Sequence, residues 1–91
     1  MAHVTDFTYK LEDYEVPAYP GLHIAEAWLE ICIERLNGDL DWYIEGIQLE
    51  KPDGKVEVFR RGSFLFDAIV PTLHKDFAFG DRIMDEAFEH I

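Results

Sequence analysis

Apolar and polar residues alternate along Val4–Tyr14 (VTDFTYKLEDY). Phe7, Tyr9 and Leu11 fall on one side, with Asp6, Thr8, Lys10 and Glu12 on the other. A period of two predicts a half-buried strand over 4–14. Pro17 and Pro20-Gly21 end it, because proline removes a ladder donor and glycine tolerates a turn. Residues 23–36 (HIAEAWLEICIERL) fit two periods. As a strand, Ala25, Ala27, Leu29, Ile31 and Ile33 oppose Glu26, Trp28, Glu30, Cys32 and Glu34. As a helix, Glu26, Glu30 and Glu34 stack on one narrow stripe and almost everything else is apolar. A 91-residue domain can hardly surround such a helix. Asn37-Gly38 favours a type I′ hairpin turn, so the strand is the reading adopted, with a helix over 23–36 as the alternative.

The pattern returns in 41–50 (DWYIEGIQLE), where Trp42 and Ile44 share a face with Ile47 and Leu49 only if the phase slips by one. Glu45-Gly46 sits at that slip, which predicts a bulge. Pro52-Asp53-Gly54 forms a turn, and 55–60 is a last strand with Val56 and Val58 inward. Ser63 then caps a helix over 63–75, with Phe66, Ile69, Val70 and Leu73 at helical spacing. Pro71 is expected to kink or split it. A second helix over 81–91 takes Asp81 as its cap, buries Ile83, Met84, Ala87, Phe88 and Ile91, and wets Asp85, Glu86 and Glu89. Strands followed by helices predict an α+β domain over 1–91, a four-stranded antiparallel meander with both helices on one face.

Composition fits that picture: 48% hydrophobic and 14% aromatic is too apolar for a disordered acidic tail. The net charge of −11 is uneven. Residues 1–50 hold eleven acids against Lys10 and Arg35, whereas residues 51–91 hold eight acids against six bases. The first half should repel nucleic acid and anionic lipid and attract basic partners. The single cysteine, Cys32, excludes an intrachain disulfide. With no apolar leader and no run long enough to cross a bilayer, the expectation is a soluble, cytoplasmic protein without membrane association.

Catalytic chemistry finds little support. The six glycines are scattered and form no phosphate loop. Cys32 lies between Glu30 and Glu34, whose charge opposes thiolate formation, and Ser63, the only serine, reads as a cap. Glu86 and His90 share a helical face and His74-Lys75-Asp76 lies nearby, but no spacing supplies three or four convergent metal ligands. The glutamates of 26–34 lie on an open face that does not desolvate them. Lys51, Lys55, Arg60 and Arg61 are too few for a nucleic-acid surface. The sequence therefore predicts no enzyme, cofactor or metal site, and no direct nucleic-acid binding.

What remains is a surface: Glu26, Trp28, Glu30, Cys32, Glu34, Tyr43 and Phe59 on the outer sheet face, with Glu57 among them. Large apolar groups rimmed by carboxylates predict a protein-interaction or self-association module, with a homodimer expected. From Phe7 to Glu50, the YEVPAYPG turn and the IEGIQLE strand give the chain a pattern that resembles small uncharacterised proteins encoded by phages and bacterial mobile elements. That resemblance implies a binding or inhibitory role against a host protein. The alternative function is therefore an acidic, phage-type inhibitor or nucleic-acid-mimicking decoy.

Overall fold

The computed structural model describes residues 2–91. The chain runs β1 (Ala2–Glu15), β2 (His23–Leu36), β3 (Asp39–Glu50), β4 (Val56–Phe59), α1 (Phe64–Lys75) and α2 (Phe77–His90). The strands form one antiparallel sheet in the order β1-β2-β3-β4, and both helices cover the same face. This is the α+β meander that the patterning predicts, and residues 23–36 are a strand throughout.

Local chemistry explains the joints. Asn37 (φ 53) and Gly38 (φ 86) both take left-handed conformations, as a type I′ turn requires, and they close the Leu36–Asp39 pair. The expected phase slip is present: Glu30 pairs with Gly46 and Ile31 with Ile44, so Glu45 is the extra residue. That bulge lets Ile44 and Ile47 both enter the core despite their odd spacing. A second bulge lies at the start of β1, where His3 pairs with Glu34 and Thr5 with Ile33, leaving Val4 over. At Asp13 (φ 49) β1 departs from regular extension. Beyond it, Tyr14 and Val16 supply the core, with Ile24 buried opposite, while Ala25 is exposed rather than inward.

The core draws Phe7 and Leu11 from β1 and Ala27, Leu29, Ile31 and Ile33 from β2. Ile44 and Ile47 join from β3, Phe66, Ile69, Val70 and Leu73 from α1, and Phe79, Ile83 and Ala87 from α2. Each fully buried Leu, Ile, Val or Phe side chain contributes roughly 1.5–3 kcal/mol relative to exposure. Aromatic contacts tie the layers together: Phe79 meets Tyr9 and Trp42 edge-on, and Trp42 stacks on His74 at 4.4 Å. His90 stacks on Phe7 at 4.8 Å.

Four expectations are corrected. Val56 and Val58 are exposed rather than inward, since β4 pairs Phe59 with the fully buried Ile47 and Val58 with Gln48. The Lys51–Gly54 turn sets this register, with Gly54 at φ 85 and Lys51 N–H donating to Lys55 O at 2.7 Å. Of the kink or split expected at Pro71, the split does not occur, and the Ser63 cap of α1 is as expected, accepting Phe66 N–H at 3.3 Å. The ring faces solvent and only one helical hydrogen bond is forgone, while Ile69, Val70 and Leu73 hold both sides in the core. Helix α2 begins at Phe77, because Asp76 rather than Asp81 is its cap, accepting Phe79 N–H at 3.2 Å. Finally, Phe88 and Ile91 are exposed and Met84 is half-buried, so the buried face of α2 is Phe79, Ile83 and Ala87. No helix among the described residues is long and apolar enough to cross a membrane.

Among the described residues, one buried side-chain polar atom is left over. The Tyr14 hydroxyl has no hydrogen-bond partner, which costs roughly 1–3 kcal/mol for a buried donor. Burial, and then the charge of Asp76, push its phenol above the ordinary value of 10.0. The folded state thus holds this proton more tightly than the unfolded chain. Its contribution is full below pH 10.0 and falls as pH rises past that value. Tyr14→Phe is expected to raise unfolding free energy by about 1 kcal/mol and to flatten the alkaline decline, as read by urea denaturation at neutral and alkaline pH.

Candidate functional site

The face of the sheet turned away from the helices carries the side chains that are not committed to the core. Period-two alternation along β2 places Glu26, Trp28, Glu30, Cys32 and Glu34 there in one column. Tyr43 stands beside Cys32 on β3, and Asp6 beside it on β1. Phe59 does not belong to this face: paired with Ile47, it packs against the core side, and Glu57 shares its parity. Val58, with Arg60 beyond it, takes the outer positions the sequence reading gave to Phe59 and Glu57.

Most of the carboxylates here are held in place. Glu30 accepts from Gln48 Nε2 at 2.7 Å and from Arg60 Nη1 at 3.0 Å, and Arg60 also reaches Glu45 O at 3.3 Å. Gly46 makes room for this, since a Cβ there would lie 2.6 Å from Glu30 Oε1. Lys10 Nζ sits 3.4 Å from Glu26 and 3.7 Å from Glu12. Tyr43 donates its hydroxyl hydrogen to Glu34 Oε1 at 2.7 Å. A shallow depression opens between the strands, lined by Asp6, Thr8, Glu30, Glu45 and Gln48.

At one end of the column His3 Nε2 lies 3.0 Å from Asp6 Oδ1. The carboxylate beside it holds the His3 imidazole above the usual histidine value, and the imidazole in turn holds Asp6 below the usual carboxylate value. Burial pushes the Cys32 thiol up, against the opposing effect of a hydrogen bond with Tyr43, and Asp6 pushes it further. Hydrogen bonds with Cys32 and then Glu34 raise the Tyr43 phenol far above its ordinary value.

No protein-family model, curated protein or solved structure matches the chain. The site is therefore read from its own geometry.

Six of the seven sequence-predicted residues share the outer face. Alternation could find them because the column runs along a single strand. His3, Gln48 and Arg60 are not legible from any local pattern, because they join the face through bulges and cross-strand register. The sequence pattern places Asp6 and Lys10 on the polar side of their strand but gives them no role. The resting chemistry is that of an ordered, polar surface. Trp28 lies between Lys10 and Gln48 on the neighbouring strands and supplies its largest apolar group.

Proposed function

We propose that this chain is a non-enzymatic protein-binding module whose outer sheet face receives a basic surface of another protein. One observation carries the reading: the sheet is covered by helices on one side only, and its other side presents Trp28 and Tyr43 among carboxylates already held by cross-strand hydrogen bonds. Aromatic side chains are enriched at interface hot spots. Groups fixed before binding also lose less entropy when a partner arrives. The net charge of −11 directs that partner toward basic chemistry.

The same acidity disfavours two copies meeting face to face, because the Glu26–Glu34 columns would oppose one another. The partner proposed for this face is therefore a different, basic chain.

The test is binding of the immobilised protein to an array of Lys/Arg-rich peptides at low and physiological ionic strength. Saturable, salt-weakened binding is expected, with Trp28→Ala reducing affinity about thirtyfold or more, as for a hot-spot aromatic. Glu34→Gln should weaken it less. Absence of saturable binding, or equal binding by wild type and Trp28→Ala, would refute the proposal.

A further inference from the structure

Cys32 is only 2% exposed, yet it is the one buried apolar-class residue among those described that does not belong to the core cluster. It lies on the opposite face of the sheet, and its cross-strand neighbours there are Asp6 and Tyr43. Along its own strand the same-face neighbours are Glu30 and Glu34. A thiol that is buried to feed an apolar core needs apolar neighbours; this one is enclosed by ligand-type side chains.

We propose that His3, Asp6 and Cys32 form a binding site for a zinc-class divalent cation. One ligand atom from each lies within 4.8 Å of the others. Zinc bound at about 2.0–2.3 Å sets tetrahedral ligand atoms about 3.3–3.8 Å apart. Closing the set needs shifts on the order of 1 Å, and the side chains that must move, His3 and Asp6, are exposed and bonded to each other rather than packed in the core. The donor set narrows the metal. A thiolate with an imidazole suits zinc, whereas magnesium and calcium prefer all-oxygen sites.

The backbone assembles this set. In a regular strand, His3 and Asp6 would point to opposite faces, because their spacing is odd. The Val4 bulge reverses the phase, pairing His3 with Glu34 on the outer face beside Asp6. Bulges commonly re-aim a side chain in this way. Tyr43 and Glu34, already joined at 2.7 Å, stand behind Cys32 and His3 as orienting partners. The fourth metal position faces solvent, since no layer covers this side. On binding, the Cys32 sulfur gives its proton to solvent and coordinates as thiolate, and the ligating nitrogen of His3 likewise releases its proton to solvent and coordinates through its lone pair. This inference does not depend on the protein-binding role.

The test uses the tag-free, reduced, full-length protein titrated with Zn2+ by calorimetry and with Co2+ by absorption spectroscopy. The expected result is one equivalent bound, a thiolate-to-cobalt charge-transfer band, and the intense visible bands of tetrahedral Co2+. His3→Ala and Asp6→Asn change exposed residues and should leave the fold intact, and each is expected to weaken Zn2+ binding at least tenfold. Cys32→Ser should abolish the charge-transfer band. The proposal is overturned if the wild type binds neither ion, if no charge-transfer band forms, or if His3→Ala or Asp6→Asn binds Zn2+ as tightly as wild type.

Discussion

Phe79→Ala is expected to remove about 3–5 kcal/mol of unfolding free energy, whereas Phe77→Ala, two residues earlier, should change it by less than about 0.5 kcal/mol. Phe79 is 1% exposed and Phe77 is 90% exposed, so the same truncation meets opposite surroundings. Phe79 fills the junction of three elements. Its ring lies edge-on to Tyr9 of β1 and Trp42 of β3, and the Arg82 guanidinium sits 5.9 Å from its centroid. Removing it leaves a cavity between the sheet and α2, and Tyr9 and Trp42 are anchored to a four-stranded ladder that cannot readily collapse into the space. A domain of this size holds roughly 5–14 kcal/mol in total, so the variant stands near the edge of folding at physiological temperature. Urea unfolding with an unchanged slope and a lowered midpoint is the readout. A loss below about 1 kcal/mol would mean that α2 does not dock on Tyr9 and Trp42 in solution.

That contrast also shows where the sequence is a good guide. Features written into adjacent residues are legible: the Asn37-Gly38 turn, the Glu45-Gly46 slip and the Ser63 cap each follow from local backbone chemistry. The start of α2 is not. Gly80 looks like a helix boundary, and glycine inside a helix does cost about 1 kcal/mol. Burying Phe79 outweighs that cost, and Asp76 caps as well as Asp81 could. Phe59 and Val58 illustrate a second limit. Hydrophobicity alone sends the valines inward, but the register set by the Lys51–Gly54 turn puts Phe59 opposite Ile47. The candidate site divides along the same line. Its glutamate column runs down one strand and follows from period two. The approach of His3 to Cys32 depends on a bulge at Val4 that no residue there announces, and on pairing between segments 26 or more residues apart in sequence.

Leu29→Ala is expected to cost about 2–5 kcal/mol, in the upper half of that range. Leu29 is fully buried at the middle of β2, facing Tyr9 on one side and Ile47 on the other. Because β2 is paired along both edges, neither neighbour can close on the gap without breaking ladder hydrogen bonds. The loss should therefore appear as lost contacts rather than as relaxation. Glu26→Ala, three residues away on the outer face, removes a partly exposed ion pair with Lys10 and should cost less than about 1 kcal/mol. A helix over 23–36 would place positions 26 and 29 on neighbouring parts of one surface; the strand places them on opposite faces. Amide hydrogen exchange gives the second readout. The β2 amides of residues 29–33 should exchange only through global unfolding, so their protection in Leu29→Ala should fall by the full change in unfolding free energy. Equal costs for Leu29→Ala and Glu26→Ala would remove the two-faced strand on which both the core and the outer surface depend.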